Sequence, residues 1–191
     1  MKIGILASQG AFNEHIYVLH QLKVEAVPVR LPRELEDLDG LIIPGGESTS
    51  INKLIMDYDL RNQILDLAGN ELSIFGTCAG MVLLASETLD SGLEPLRIMD
   101  ISVRRNAFGR QQESFETELS IPVLGDAPFP GIFIRAPVIE RAGSGVEILA
   151  ELKDGTSVAA RQGKLLVSAF HPELTEDFRF HQYFLDIVKG D

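Results

Sequence analysis

Leu72-Ser73-Ile74-Phe75-Gly76-Thr77-Cys78-Ala79-Gly80-Met81 sets an apolar run against the chain's one cysteine, with a glycine two residues before it and another two residues after. The run Leu72–Phe75 has the length and composition of a buried strand, and the apolar pattern from about Ala79 to Ser86 reads as a helix. Glycines at these two places let the backbone turn sharply and keep side chains out of the way of the helix that follows. A strand that feeds straight into a helix is the building unit of a parallel α/β sheet.

The rest of the first half repeats that unit. Ile3–Ala7 is a continuous apolar strand, and Ala11–Leu22 carries Phe12, Ile16, Leu19 and Leu22 at helical spacing. Glu25–Val29 and Gly40–Ile43 read as further strands, the latter ending at Pro44-Gly45-Gly46, with helices over Ser50–Met56 and Leu60–Ala68. Strands that are apolar throughout are covered on both faces, so a parallel sheet with helices on both sides is expected.

Beyond the elbow the chain turns strand-rich, over Ile98–Arg104, Ser114–Ile121, Gly131–Arg135, Val146–Leu152, Ser157–Arg161 and Lys164–Phe170. Asp154-Gly155 and Gln162-Gly163 are turn signals that make the last three an antiparallel meander. A closing helix is expected over Glu176–Lys189, capped by Thr175 and stopped at Gly190, with Phe180, Phe184, Ile187 and Val188 as its buried stripe. No repeat or interdomain linker interrupts residues 1–191, so a single domain is expected.

Seventeen Lys plus Arg stand against 28 Asp plus Glu, a net charge of −11. Such a surface repels phosphate backbones and anionic lipid, which argues against nucleic acid or membrane as partner. No apolar run approaches membrane-spanning length, and the first apolar stretch is too short for a signal peptide, so a cytoplasmic location is expected. Four histidines and one cysteine show no metal-ligand spacing. His15, His20 and His181 lack a motif that needs them as ligands and read as structural or surface residues. Pro44-Gly45-Gly46-Glu47-Ser48 has no phosphate-loop lysine, which removes nucleotide binding.

A lone cysteine is ordinarily a small buried hydrophobe. Here the elbow holds it, and His171-Pro172-Glu173 follows another apolar run, Leu165–Phe170. A thiol, an imidazole and a carboxylate at strand ends supply nucleophile, base and orienting acid, the requirements of cysteine-dependent acyl transfer. Ser8-Gln9-Gly10, Pro44–Ser48, Cys78 and His171 all fall at strand carboxyl ends, where open α/β sheets bind ligands.

With these residues in hand the chain resembles the class I, triad-type glutamine amidotransferases, and more narrowly the glutaminase subunits of two-component pyridoxal 5′-phosphate synthase. The resemblance runs from end to end through Gln9-Gly10 with Glu14-His15, Pro44–Thr49, Gly76–Gly80, Arg105-Asn106 with Phe108-Gly109-Arg110-Gln111, Ser114-Phe115-Glu116, Phe133–Pro137 and His171–Thr175. Ser8 and Met81 depart from the usual pattern, beside active positions rather than at them.

The resemblance implies a three-layer, flavodoxin-like α/β fold whose mixed sheet is mostly parallel. It implies hydrolysis of L-glutamine to glutamate and ammonia by Cys78, His171 and Glu173. Gly46, Glu47, Ser48, Arg105, Ile134 and Arg135 would line the glutamine site, with Arg105 rather than Arg104 turned inward. Backbone N–H groups of Ala79 and Gly46 would form the oxyanion hole, with Gln9 helping to organise it. No cofactor is implied. The implied partner is the (β/α)8-barrel synthase subunit, docked over the loops around Gln9 and Pro44–Ser48 to receive the ammonia. Three other readings compete: a subunit feeding imidazole glycerol phosphate synthesis, a free-standing cysteine hydrolase, against which His-Pro-Glu speaks, and a glutamine-binding module. The segment Arg105–Gln111 speaks against the first and the intact triad against the last.

Overall fold

Apolar strands of the first half and a strand-rich second half merge into one sheet. The computed structural model describes residues 1–7, 10–89, 92–109 and 113–190. In chain order the elements are Lys2–Leu6 (β1), Phe12–Gln21 (α1), Glu25–Val29 (β2), Gly40–Ile43 (β3), Ser48–Asp57 (α2), Leu60–Gly69 (α3), Ser73–Thr77 (β4), Ala79–Leu84 (α4), Ala85–Thr88 (β5) and Met99–Arg104 (β6). They continue with Ser114–Leu119 (β7), Phe129–Ile134 (β8), Val138–Ala142 (β9), Glu147–Glu151 (β10), Ser157–Gln162 (β11), Leu165–Ser168 (β12) and Arg179–Lys189 (α5).

The ten-stranded sheet runs β2-β1-β3-β4-β12-β11-β9-β6-β5, with β10 paired to β11 and β7-β8 forming a separate ribbon. From β2 to β12 every pairing is parallel. The β10-β11-β12 meander and the β9 pairings are antiparallel, and β5 lies parallel to β6. The fold is thus the mixed, helix-covered α/β sheet expected. Ile43 pairs with Gly76, and Ser168 with Thr77. This register sets Pro44, Cys78 and Ala169–His171 side by side at one end of the sheet, because the three parallel strands finish together.

Alternation along β4 divides the two faces. Phe75 points to α5, with its ring 5.6 Å from Phe180, 5.5 Å from Phe184 and 5.9 Å from His181. Gly76 points the other way, where an added Cβ would lie 2.6 Å from the Gly80 backbone of α4. The Phe129, Phe133, Phe170 and Phe180 rings continue the apolar core from α5 to the β7-β8 ribbon, and all four are buried. Among the described residues no helix is long and apolar enough to cross a membrane.

Three local expectations are corrected. The helix after the elbow stops at Leu84, and Ser86 lies in β5. Carbonyls of Leu83, Leu84 and Ala85 accept from the N–H groups of Leu96, Ile98 and Arg97, so partners distant in sequence end the helix. Strand β9 went unseen because Glu140 and Arg141 face solvent; its pairing with β6 makes it. Thr175 does not cap α5. Its Oγ1 accepts from Asp177 N–H at 3.2 Å in a separate turn, and the helix begins at Arg179.

Candidate active site

Cys78 sits between β4 and α4 with φ 48° and ψ −101°. A non-glycine residue held there stores about 1–3 kcal/mol of backbone strain, sustained only by its surroundings. Those surroundings are close: Cys78 N–H donates to Ser168 O at 2.7 Å, and a Cβ on Gly80 would fall 2.0 Å from Ile43 O. Gly80→Ala must therefore push α4 off β3. It is expected to cost about 3 kcal/mol, the upper range for overpacking, and so to lower the melting temperature by about 6–12 °C in a chain of this size. An unchanged thermal transition would refute this close approach.

His171 N–H donates to Ile132 O at 2.8 Å and opens the 3-10 turn Pro172–Leu174, which carries Glu173 back beneath the imidazole. His171 Nδ1 is 2.6 Å from Glu173 Oε1, and the Glu173 side chain is wholly buried. The imidazole also bonds Cys78. Burial pushes the imidazolium down, but the Cys78 hydrogen bond, the Glu173 hydrogen bond and both charges outweigh it, raising His171 to about 10. A cation at this place stabilises negative charge on the neighbouring sulfur.

Gly45 owes its lack of a side chain to this group: a Cβ would come 2.4 Å from the His171 ring. Its N–H donates to Thr77 Oγ1 at 2.9 Å, and its carbonyl accepts from Ala11 N–H at 3.3 Å. Because a trans peptide sets C=O and N–H in opposite directions, the Gly46 N–H turns away from Ala11. Gly10, at φ 84°, allows this approach, since a Cβ there would collide with Gly45 O. Gln9 lies outside the described residues, as do Arg110 and Gln111 of the Phe-Gly-Arg-Gln segment.

A cavity of ≈370 Å³ opens over Cys78. Gly46, Glu47, Ser48, Ala79, Arg105, Ile134, Arg135 and His171 line it, so the structure brings every described candidate residue except the buried Glu173 to its wall. Asn106, Val82 and Pro137 line it as well; Asn106 and Pro137 belong to segments of the resemblance but carried no site role there, and Val82 gave no signal. Ala107 N–H donates to Ala136 O at 3.1 Å, which staples the Arg105 and Arg135 turns together. Arg104 points out to Glu140 instead.

Glu47 lines the cavity and has a second task beside it. Its carboxylate caps α2, accepting from Thr49 N–H at 3.1 Å and from Ser50 N–H at 2.8 Å and Oγ–H at 2.7 Å, and from the Thr49 hydroxyl. The Thr49 hydroxyl bond, followed by those from Ser50, outweighs partial burial and lowers Glu47 to about 2. Arg105 Nη2 lies 3.6 Å from the same carboxylate, so the cap also braces the arginine. Among the described residues no group of His, Cys, Asp and Glu is placed to hold a metal ion.

The histidines divide into the surface and structural residues expected. His20 is exposed, but His15 and His181 are wholly buried, and His15 Nε2 lies 3.5 Å from Glu173 Oε2, behind the triad. Glu14-His15 in the sequence resemblance was the available signal; a histidine on an amphipathic helix otherwise gives none.

An elbow cysteine facing a histidine–carboxylate pair at the strand ends of this sheet is the arrangement that the resemblance to triad-type glutamine amidotransferases implies. A solved structure of a glutamine amidotransferase superposes with a TM-score of 0.93 at 48% identity, covering 99% of this chain and 100% of the other. A GMP synthase component from Thermoplasma acidophilum, at 18% identity and a TM-score of 0.65, shares the fold alone. The chain belongs to the SNO glutamine amidotransferase family, whose family model matches residues 5–189. Among its relatives, the pyridoxal 5′-phosphate synthase subunit PdxT of Dehalococcoides mccartyi is 54% identical over 191 residues, 99% of this chain and 98% of the relative. That of Pelotomaculum thermopropionicum is 56% identical over 186 residues, 97% and 94% of the two chains.

Proposed function

We propose that this chain hydrolyses the side-chain amide of L-glutamine and supplies the ammonia to a pyridoxal 5′-phosphate synthase subunit. The observation that carries the chemistry is the 2.6 Å His171–Glu173 pair closing on an elbow cysteine at the floor of the cavity. The Cys78 thiolate adds to the carboxamide carbon, and charge develops on the oxygen. The Ala79 and Gly46 N–H groups receive that charge, at about 3–4 kcal/mol for each donor so aimed. The His171 imidazolium gives its proton to the departing nitrogen, and ammonia leaves a glutamyl thioester. Water then attacks, His171 takes its proton, and collapse releases glutamate and restores the thiolate. Glu173 holds the imidazole in the tautomer this exchange requires.

Arg105 and Arg135 are the groups suited to the α-carboxylate of the substrate, since a guanidinium fork offers two parallel donors. Arg105→Ala is expected to raise KM for glutamine by about 10- to 100-fold, the equivalent of losing a hydrogen bond to a charged group, with a smaller change in kcat. Arg105→Lys should restore little of it. Steady-state kinetics decide this, and an unchanged KM would move the carboxylate contact to Arg135.

The partner's identity is supported by the PdxT relatives and by Arg105 with Ile134, Arg135 and Pro137, which meet at one wall of the cavity. Phe108 anchors its loop by packing 4.9 Å from Phe115 and 6.1 Å from Phe133. The partner is proposed to be a (β/α)8-barrel subunit docked over Pro44–Ser48 and the Gln9 loop, in the cytoplasm, where a nucleophilic thiol stays reduced. The direct test is glutamate release from L-glutamine by the purified chain, with and without the synthase subunit. Release that appears on adding the subunit supports the reading; equal release without it favours a free-standing hydrolase.

A further inference from the structure

Behind the triad lies a buried polar line that the hydrolysis above does not use. Glu173 spends one oxygen on His171; the other, Oε2, has no hydrogen-bond partner among the described residues. His15 Nε2, from α1, stands 3.5 Å from it and 3.2 Å from Thr77 Oγ1. His15 Nδ1 lies 2.9 Å from His181 Nε2 of α5, and His181 Nδ1 has no partner among the described residues. All three side chains are buried.

Both histidines are neutral. Burial, then the charges of His181 and His171, push His15 well below its ordinary value, and burial lowers His181 to about 3. One proton therefore occupies the His15–His181 contact, and two arrangements are open. If His15 Nδ1 donates, an N–H of His181 is buried without an acceptor, and a bare nitrogen of His15 confronts the carboxylate. If His181 Nε2 donates, His15 Nε2–H faces Glu173 and Thr77, and only an acceptor nitrogen is left over. Orphaned buried N–H groups are rarer than under-used acceptors, so the second arrangement prevails.

We propose that His15, steered by His181, is a positioning residue for the triad, its Nε2–H aimed at the second oxygen of Glu173 to fix the carboxylate that orients His171. The proposal rests on the triad reading and deepens it. The groups that face the Glu173 carboxylate are His171 on its own turn and His15 of α1, which Thr77 and His181 of α5 contact in turn.

Long-range ¹H–¹⁵N NMR of the isolated chain reads the tautomers directly. His15 and His181 should each be protonated at Nε2 and bare at Nδ1; a proton on His15 Nδ1 overturns the proposal whatever the variants do. His15→Phe should then lower the His171 titration midpoint from about 10 by about one unit. In the glutaminase assay with the synthase subunit, it should reduce kcat about 10- to 100-fold, the scale on which outer hydrogen-bond partners act, with KM unchanged. His15→Gln, which can present an N–H near the Nε2 position, should recover most of both. A role in packing alone would depress the melting temperature and leave the His171 titration in place, and that result refutes the proposal. Turnover by Cys78→Ala would instead overturn the triad reading, and the NMR measurement is independent of turnover.

Discussion

Cys78→Ala is expected to abolish glutamine hydrolysis, with a loss of about 10⁶-fold in kcat, the scale on which a lone nucleophile matters when its neighbours act as a unit. The loss should come without unfolding. Cys78 Sγ faces the His171 imidazole and lies 3.8 Å from Ile134 O, and it borders the open cavity. Deleting it enlarges a space already reached by solvent, so the cavity penalty that makes core truncations costly does not arise. The elbow itself is held by the Cys78 N–H bond to Ser168 and by the packing of Gly76 and Gly80, none of which involves the sulfur. Calorimetric titration with glutamine in the presence of the synthase subunit should still show binding, since Arg105 and Arg135 remain. Retained turnover would transfer the chemistry to a different group, and lost binding together with lost turnover would mean a collapsed pocket.

The parts of this site that were legible in the sequence are those imposed by backbone geometry. Gly76 and Gly80 announce the elbow because no side chain fits at either place, and the parallel register then carries Cys78, Gly45 and His171 to one sheet end. Arg105 was separable from Arg104 because strand alternation turns only one of two adjacent residues inward and the resemblance selects Arg105; in the structure Arg104, the last residue of β6, faces Glu140. The illegible parts depend on partners far away in the chain. Strand β5 exists because Leu96–Ile98 return to the carbonyls of α4 and Met99–Arg104 pairs beside it. Glu47 lines the cavity, but the cap its carboxylate makes with Thr49 and Ser50 was not read from the sequence. His15 shows its environment only when α5 brings His181 against it, across 166 positions.

Glu173→Gln should cost about 10⁴-fold in kcat by analogy with the amide replacement of a triad carboxylate, but its diagnostic consequence is in stability. The His171 value is raised to about 10 from an ordinary value of 6.5. The folded state therefore binds this proton more tightly than the unfolded chain does. The resulting stabilisation is complete below about 6.5 and disappears as pH rises through about 10. In Glu173→Gln the carboxylate charge is gone, and burial again pushes the imidazole down. The stability difference between the unsubstituted chain and the variant, from denaturant melts, should consequently be large at neutral pH and shrink above pH 10. Other alkaline titrations, such as those of lysine and tyrosine, occur in both proteins and cancel. Repeating the comparison on a Cys78→Ala background removes the sulfur's share of the His171 shift and isolates the part due to Glu173. A difference that stays constant from neutral pH to beyond 10 would show that Glu173 does not hold the proton on His171. The carboxylate would then be a packing element of the 3-10 turn, and catalysis would fall to Cys78 and His171 alone.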